Sequence, residues 1–492
     1  MDLQIRDLDS LYIGGEDVAP TGGYDEIVNP ATEDVVGIAP LAGAAEIDAA
    51  IGAAREAFDK GPWPRMKPAE RAAILWRFHD ALEARADRIA SIILLEGGAV
   101  RADARARQFD LPMKHFRHVI ELGQRDPARV LPPVVTPIGD RKALGTAVIT
   151  RVAVGVVSAI TAYNYPFFLN IGKIGPAMMA GNTVVLKPSP YTPFQALVMA
   201  DAAREAGLPA GVLNILNGGI AVGEALTTDP RIDLVSFTGS DIVGAKIAAQ
   251  AAPTLKRVLL ELGGKSAMIV RADGDHAMAA AALLRGFTAH AGQGCGMFTR
   301  VLIHNAIRAQ IVERVAEAAR RVKVGDPADP SVQMGPVIRA TQRDRVERYV
   351  ALGLDSGARL VTGGRRPPNL DRGYFYEPTL FDEVDNRSAI AQDEIFGPVG
   401  IAIGFDTDEE ALALANDAQF GLRSGIITAD VGLAYEMATE LRTGHVTINN
   451  GALTSLSGVP LGGMKRSGYG REGGEEGYNA YTEVKAIEFH AG

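Results

Sequence analysis

Short apolar segments alternate with helical patterns from residue 151 onward, and this alternation restricts the possible folds more than any other feature. Strands that alternate with helices form a parallel sheet whose two faces the helices cover. We therefore predict an α/β fold with a parallel sheet. The predicted strands of this first series cover residues 152–161, 183–186, 213–216 and 234–237, with helices at 194–206 and 222–227.

A second series of strands and helices begins near residue 256, which predicts a second α/β unit. The 492 residues suffice for about two to four domains of typical size. Three predictions concern other parts of the chain: a projecting hairpin over 127–151, a C-terminal strand over 484–489 that needs a partner, and a helix over 99–122. Further predicted elements are strands at 258–260, 267–270 and 301–303, and helices at 46–60, 276–290 and 307–322.

Polar and glycine residues follow the first series of strands. Asn164, Lys187, Gly219 and the pair Gly239-Ser240 each come directly after a predicted strand. The carboxyl ends of parallel strands meet at one edge of a sheet, and ligands bind beyond that edge. These residues therefore predict a shared binding cleft. Taken alone, a lysine such as Lys187 is more often an ordinary surface residue.

The composition is that of a soluble globular protein, with 47% apolar and 22% charged residues. The net charge of −9 gives no reason to expect nucleic-acid or membrane binding. A single cysteine excludes an intramolecular disulfide, and the N-terminus has no leader pattern. We therefore expect a cytoplasmic protein. The sequence predicts no metal site.

The cysteine, Cys295, lies between Gly294 and Gly296 in the segment FTAHAGQGCGMFTR. Flanking glycines allow the backbone to approach a ligand closely. A free cysteine is also a common small core residue, so this pattern alone leaves both interpretations open. Glu261 in ELGGK and Asn164 in TAYNYP favour the reactive one, because they add a carboxylate and an amide donor.

These three residue types match the oxidation of an aldehyde. A Cys295 thiolate would attack the carbonyl carbon, and the Asn164 amide with a backbone N–H would hold the oxyanion. A nicotinamide would take the hydride, because no protein group can. Glu261 would activate the water that hydrolyses the thioester. On local sequence alone, Glu261 can also be a solvated loop carboxylate and Asn164 a turn residue.

Seven motifs in order resemble the NAD(P)-dependent aldehyde dehydrogenases over nearly the whole chain. The resemblance implies Cys295 as nucleophile, Glu261 as general base and Asn164 as oxyanion donor, with Lys173 and Glu472 in a proton relay behind the base. The motifs are TAYNYP at 161–166, LKPS at 186–189, FTGS at 237–240, ELGGK at 261–265, GQGC at 292–295, EIFGPV at 394–399 and GYGREGG at 468–474.

The resemblance also implies NAD or NADP as cofactor, an aldehyde as substrate and a homodimer or homotetramer. The implied architecture is a Rossmann-type cofactor domain (1–126 and 146–255), an α/β catalytic domain (256–465) and a small oligomerisation element (127–145 and 466–492). The implied cofactor-binding residues are Thr161, Ala162, Tyr163, Lys187, Ser189, Pro190, Gly219, Gly223, Phe237, Thr238, Gly239, Ser240, Leu262, Gly263, Glu394 and Phe396.

Three residues depart from the family pattern. Pro190 stands where many NAD-preferring members carry a glutamate, which leaves NADP open. Gly172 stands where an aromatic residue often lines the substrate tunnel, so we expect a wider tunnel. Arg423 replaces a small residue, and we expect it to be a surface charge. No basic pair is placed to hold a carboxylate, which favours a neutral, hydrophobic or aromatic aldehyde.

Three rival functions remain compatible with parts of the sequence. A coenzyme-A-acylating member of the fold would gain nothing from Glu261 as a water-activating base. A non-catalytic, lens-type member would not need Cys295, Glu261 and Asn164 together. A cysteine hydrolase without a redox step would need a histidine, and His290 is the nearest in sequence. We expect His290 to be a packing or surface residue.

Overall fold

A computed structural model describes residues 5, 7–125, 127–449 and 456–491 of the chain. The strands, in chain order, are β1 Leu11–Ile13, β2 Glu16–Val18, β3 Tyr24–Val28, β4 Val35–Pro40, β5 Arg129–Val130, β6 Val134–Ile138, β7 Arg141–Ala153, β8 Val156–Ile160, β9 Thr183–Lys187, β10 Leu213–Ile215, β11 Leu234–Thr238, β12 Arg257–Glu261, β13 Ala267–Val270, β14 Arg300–His304, β15 Arg359–Thr362, β16 Thr379–Asp382, β17 Val399–Phe405, β18 Phe420–Gly421, β19 Arg423–Ile427, β20 His445–Ile448, β21 Met464–Lys465, β22 Gly468–Tyr469 and β23 Thr482–Ala491.

The helices are α1 Ala44–Asp59, α2 Pro68–Glu83, α3 Ala86–Gly97, α4 Arg101–Arg105, α5 Leu111–Gly123, α6 Pro166–Met179, α7 Phe194–Ala206, α8 Ile220–Thr228, α9 Asp241–Ala251, α10 His276–Thr288, α11 Asn305–Arg320, α12 Ala340–Asp355, α13 Ala389–Gln392, α14 Asp408–Asn416, α15 Val431–Glu440 and α16 Gly474–Asn479. Among the described residues, every helix is too short or too polar to cross a lipid bilayer.

The first series of strands forms the centre of an eight-stranded sheet, in the order β2-β1-β10-β9-β8-β11-β12-β22. Strands β10, β9, β8, β11 and β12 are parallel, as predicted. Separate apolar clusters cover its two faces, one with α2, α3, α5, α6 and α7, the other with α1, α8 and α9. The register places Ile160 opposite Lys187 and Thr238 opposite Glu261, so these strands end at a common edge.

The predicted strand over 152–161 is wrong at its start, because the chain divides at Gly155. Val152 belongs to the long strand β7, which ends at Ala153, and β8 begins at Val156. Gly155 has φ +146°, and a Cβ atom there would lie 1.8 Å from Oδ2 of Asp233. That carboxylate accepts the Val156 N–H at 2.7 Å. The close approach and the positive φ together require glycine at the break.

The second series forms a seven-stranded sheet in the order β15-β16-β17-β14-β13-β19-β20, in which all pairs but β15 with β16 are parallel. Strand β20 is at one edge of this sheet. The α/β class with two parallel sheets is therefore confirmed. The domain boundaries stay predictions, and β22, within the predicted element 466–492, pairs with β12 of the eight-stranded sheet.

The predicted hairpin and the C-terminal strand belong to one small sheet. Strand β7 pairs with β5, β6 and β23, and its pairing with β23 runs from Thr482–Ala153 to Ala491–Leu144. The C-terminal strand therefore has a partner within the chain. Apolar side chains of this sheet are exposed, among them Val134, Ile138, Val484 and Phe489.

Two predicted helices differ from the structure. The helix over 99–122 is divided by a π-helical segment, Ala106–Asp110, between α4 and α5. Pro112 lacks the N–H that a regular helix needs there, which explains the local change in hydrogen bonding. The helix over 276–290 ends at Thr288, because His290, Ala291 and Gly292 adopt left-handed φ angles of +47°, +52° and +71°.

Candidate active site

Cys295 lies in a turn whose backbone is held from several sides. The left-handed residues before it reverse the chain, and a Cβ atom on Gly292 would lie 2.0 Å from the carbonyl oxygen of Gly397. Gln293 fixes the turn, because its Oε1 accepts the Ile338 N–H at 3.0 Å. Burial raises the pKa of Cys295 to about 12, and the negative charges of Glu394 and Glu261 contribute. The thiol therefore needs help to ionise.

Asn164 meets the Cys295 turn directly. Its Nδ2 donates a hydrogen bond to the Gln293 carbonyl oxygen at 3.0 Å, two residues before the thiol. A side-chain amide carries two N–H donors, so a second one is available. Asn164 is buried and follows β8, which places it at the common edge of the sheet. The structure thus brings together two of the residues predicted from separate motifs.

Glu261 is the last residue of β12 at the same edge. Its Oε1 is buried, and no residue that the structure describes hydrogen-bonds to that atom. A Cβ atom on Gly462 would lie 2.9 Å from it, so a side chain there would press on the carboxylate. Burial raises the pKa of Glu261 well above its usual range, and the nearby Glu472 contributes, while Lys173 and Arg471 oppose the shift. A carboxylate with a raised pKa suits a general base near neutral pH.

Lys173 and Glu472 form an ion pair behind Glu261, as the resemblance implies. Lys173 is fully buried on α6 and also donates to Oγ of Ser236 at 3.0 Å. The hydroxyl of Tyr481 donates to the same Oγ at 3.0 Å. Our sequence analysis missed Ser236 and Tyr481. The signal for Ser236 is a single polar residue within the apolar strand LVSF, whereas no local signal marks Tyr481.

The predicted cofactor residues after β9 and β10 surround an open groove. A Cβ atom on Gly219 would meet nothing within 4 Å, and one on Gly223 would meet only Cε of Lys187, at 4.0 Å. Lys187 is buried and contacts only the Pro188 carbonyl oxygen, at 3.3 Å, among its described hydrogen-bond partners. Burial lowers its pKa to about 8. Ser189 is buried and Pro190 is partly exposed beside it.

The end of β11 supplies a second set of predicted cofactor residues. Oγ1 of Thr238 is buried without a hydrogen-bond partner in the described part of the chain. Ser240 caps α9 by accepting the Val243 N–H at 3.3 Å, and Gly239 packs on the Phe237 ring. An orphaned hydroxyl, the start of a helix and an open glycine groove fit the ribose and phosphate groups of a dinucleotide.

Glu394 and Phe396 approach the groove from the second sheet. Oε1 of Glu394 accepts the Gly264 N–H at 3.0 Å, and a Cβ atom on Gly263 would lie 2.5 Å from Oε2. Burial raises the pKa of Glu394 to about 7. Phe396 has φ +61°, and its ring meets Tyr163 edge-on at 5.9 Å between centroids. Glu394, Phe396 and Tyr163 therefore line one region.

Three predicted cofactor residues have side chains that point away from the groove or that carry no group able to bind a cofactor. Oγ1 of Thr161 donates to Asn170 at 2.7 Å inside the core. Leu262 packs against Gly244 of α9. Ala162, between Thr161 and Tyr163, offers only a methyl group and its backbone. For these positions, only the backbone at the strand ends is placed for contact with a ligand.

Arg423 is not a surface charge, so our expectation for it is wrong. Burial lowers its pKa to about 10, whereas the Cys295 thiolate favours its charged form. Its guanidinium lies 4.9 Å from the centroid of the Phe298 ring. Single-sequence reasoning fails here because a residue at the start of a parallel strand can face either solvent or a site. The available signal that Arg423 faces the site was its position next to a predicted cleft.

Gly172 faces open space, since a Cβ atom there would meet nothing within 4 Å. It lies on α6 on the same side as Tyr165 and Phe168, at helical spacings of seven and four residues. The Tyr165 ring lies 5.4 Å from that of His290, and Phe168 meets His115 at 5.5 Å. This stripe leads from the Cys295 turn along the helix.

A thiol, a buried carboxylate and an amide donor lie beside a groove that fits a dinucleotide, in an α/β fold. The sequence model of the aldehyde dehydrogenase family matches residues 18–487. The chain belongs to the aldehyde dehydrogenase family.

Relatives named for several substrates resemble the chain over almost its full length. Geranial dehydrogenase of Castellaniella defragrans is 38% identical, covering 97% of this chain and 98% of its own. Betaine aldehyde dehydrogenase of Bacillus subtilis is 36% identical, with 97% and 96% covered. A Mycobacterium tuberculosis aldehyde dehydrogenase solved with NAD+ is 41% identical, with a TM-score of 0.92 and 98% of each chain covered. The related structures thus share the whole fold.

Proposed function

We propose that the protein oxidises a neutral, hydrophobic or aromatic aldehyde to its carboxylic acid with NAD or NADP. The observation that carries this proposal is the meeting of Cys295, Asn164 and Glu261 at one sheet edge. Asn164 bonds the turn of Cys295, and the charge of Glu261 acts on the thiol. These residues come from three separate segments, and the reaction needs each of their chemical groups.

The thiolate of Cys295 attacks the aldehyde carbon, which forms a C–S bond and moves charge to the oxygen. The Asn164 amide and a backbone N–H near Cys295 hold that oxyanion. Loss of hydride from the adduct leaves a thioester on Cys295. A nicotinamide, when bound, supplies the acceptor for the hydride. Lys187, buried at the end of β9, and Glu394, beside Gly263, would hold the cofactor's two riboses.

Hydrolysis of the thioester needs a proton acceptor for water. Glu261 takes that proton, the water oxygen attacks the acyl carbon, and the C–S bond breaks to return the thiolate. The ion pair of Lys173 with Glu472 lies behind Glu261 and can carry the proton onward. Ser236 and Tyr481 hold Lys173 in place through the hydroxyl of Ser236.

The rival functions lack the same support. A cysteine hydrolase needs a basic histidine, but burial lowers the pKa of His290 to about 4. A coenzyme-A-acylating enzyme has no use for the Glu261 base with its relay. Absorbance at 340 nm with an aldehyde panel separates them: we expect acid and reduced cofactor to form without coenzyme A. Reduction that requires coenzyme A, or no reduction with any aldehyde, would contradict the proposal.

Cofactor choice depends on Pro190. We expect wild-type enzyme to use both NAD and NADP, because Pro190 cannot repel a 2′-phosphate. A cation also lies near Pro190, because the guanidinium of Arg339 stacks 4.3 Å from the ring centroid of Tyr191, the residue after Pro190. Pro190→Glu should raise the NAD-to-NADP ratio of kcat/KM by at least roughly tenfold, because it adds a charge that repels the phosphate.

Pro190→Gln is the matched control, because glutamine has nearly the same length as glutamate but carries no charge. Its ratio of kcat/KM should move less than that of Pro190→Glu. A wild-type preference for NAD above about a thousandfold, equal to ~4 kcal/mol, would refute relaxed cofactor choice. An unchanged ratio in Pro190→Glu would place this loop away from the adenosine ribose.

Two features indicate the substrate class: the stripe of Tyr165, Phe168 and Gly172 on α6, and the positive charge of Arg423. The open space at Gly172 admits a bulky group, and Tyr165 and Phe168 offer aromatic surface. The buried guanidinium of Arg423 beside Cys295 disfavours a cationic aldehyde. A bulky neutral aldehyde therefore matches both features.

Gly172→Trp should lower kcat/KM for an aromatic aldehyde by roughly tenfold or more, because it fills the space that the substrate needs. A short aliphatic aldehyde should be affected much less. Gly172→Ala is the control, since its methyl group meets no atom within 4 Å. Equal losses for both aldehydes in Gly172→Trp would argue against a tunnel at this position.

The exposed sheet of β5, β6, β7 and β23 supports a homodimer or homotetramer. Exposed apolar residues such as Val134 and Phe489 form a surface of the kind that subunits bury. Light scattering of the purified chain tests this assembly. A single cysteine, which cannot form an internal disulfide, is consistent with the reducing cytoplasm.

A further inference from the structure

Arg423 begins strand β19, and this strand packs directly against the Cys295 turn. A Cβ atom on Gly264 would lie 2.5 Å from the Cys295 carbonyl oxygen and 3.1 Å from Cβ of Leu422, the residue before Arg423. On the other side, a Cβ atom on Gly296 would lie 3.6 Å from Cδ of Arg423. The stem of Arg423 thus runs beside the residue that follows the nucleophile.

The guanidinium of Arg423 is held in this place by an aromatic ring of the same turn. Its Cζ lies 4.9 Å from the centroid of Phe298, three residues after Cys295. A cation over an aromatic face is attracted by the ring's quadrupole, most strongly where water is excluded. Phe298 is buried, and Arg423 is largely enclosed. The contact therefore fixes a positive charge near the thiol.

The other ionisable groups that act electrostatically with Cys295 are acidic among the described residues, whereas the backbone N–H groups of Gly296 and Cys295 lower the pKa of the thiol. Glu261 faces it from β12, Glu394 from the segment after α13, and Tyr165 from the start of α6. Both carboxylates oppose ionisation of the thiol, and burial opposes it further. His445 is opposite Arg423 in β20, and burial together with Arg423 lowers its pKa to about 4, so it is neutral at pH 7.

We propose that Arg423 is a positioning residue that stabilises the thiolate form of Cys295. It thereby keeps the nucleophile reactive although carboxylates lie nearby. This inference rests on the proposed role of Cys295. The guanidinium lies beside the Cys295 turn, where its positive charge and the negative charge of the thiolate favour each other. Because only the thiolate attacks an electrophile, the effect reaches the reaction through Cys295.

Alkylation by iodoacetamide, with neither cofactor nor aldehyde present, reports the thiolate directly. The rate is followed by intact mass between about pH 7 and 9, where the guanidinium is charged, for wild type and for Arg423→Met, which keeps the length and loses the charge. We expect alkylation of Arg423→Met to be roughly tenfold slower at each pH, the change that a rise of about one unit in the pKa of Cys295 produces. Arg423→Lys should restore most of the rate, because it keeps the charge.

Arg320→Met is the control for net charge, because Arg320 lies exposed on α11. Its alkylation rate should equal that of wild type at each pH. An unchanged rate in Arg423→Met overturns the proposal, as does a slower reaction with anionic iodoacetate alone, which would assign Arg423 to a substrate carboxylate. If Arg423→Met does not fold, Arg423→Gln takes its place in the same comparison, with thermal melting as the check.

Failure of this inference and failure of the proposed function give different results. Cys295→Ala should take up no iodoacetamide, which identifies the labelled site. Loss of dehydrogenase activity in that variant concerns the proposed function alone. A wild-type alkylation rate in Arg423→Met together with an inactive Cys295→Ala would leave Cys295 as the nucleophile and would show that Arg423 does not stabilise its thiolate.

Discussion

Cys295→Ala is expected to lower aldehyde oxidation by at least roughly 10⁴-fold, because the variant lacks the thiol that forms the covalent adduct. Cys295 is the only cysteine of the chain, so no second thiol can substitute. Steady-state reduction of the cofactor at 340 nm measures the loss. Wild-type enzyme should also take up a single iodoacetamide label in parallel with its inactivation.

Binding of NAD or NADP serves as the control for this variant, since the side chain of residue 295 is small in the wild type and in the variant. Cofactor affinity and thermal stability should stay close to those of wild type. Substantial turnover by Cys295→Ala would falsify covalent catalysis at this residue. Labelling without loss of activity would show that the thiol takes no part in the reaction.

Glu261→Gln is expected to stop turnover at the thioester. Glutamine is nearly the same size but cannot accept the proton of water, so steady-state activity should fall about 10²- to 10⁴-fold. Acylation does not need this base, provided that the thiolate is already formed. Rapid mixing should therefore give a burst of about one reduced cofactor per active site, and intact mass should detect the trapped acyl group.

The pH dependence gives a second test of Glu261. The carboxylate acts as a base only when deprotonated, and its pKa is raised by burial and by Glu472. Hydrolysis should therefore increase with pH through a midpoint well above 4.5, the ordinary pKa of a glutamate carboxyl group. Glu475→Gln, which removes an exposed carboxylate from α16, should leave both rate and profile unchanged. Wild-type turnover in Glu261→Gln would assign the base to another group.

Much of the cleft was predictable because its residues follow a local rule. Asn164 and Ser240 follow strands and Lys187 ends one, and parallel strands bring their carboxyl ends to one edge whatever their order. The position of the cleft therefore needs only the periodicity of the chain and the residue types at the strand ends. The chemistry of Cys295 and Glu261 was implied by the motifs.

Only the tertiary structure places Arg423 beside Cys295, joins Lys173 with Ser236 and Tyr481, and breaks the chain at Gly155 against Asp233. In each case the partners are separated by tens to hundreds of residues, so no local pattern connects them. Burial and the charges of such distant partners set the pKa of Cys295 and of Glu261. Sequence thus determined which groups are present and at which edge they meet, whereas folding determined which of them are charged, because desolvation and Coulomb energies depend on contacts in space.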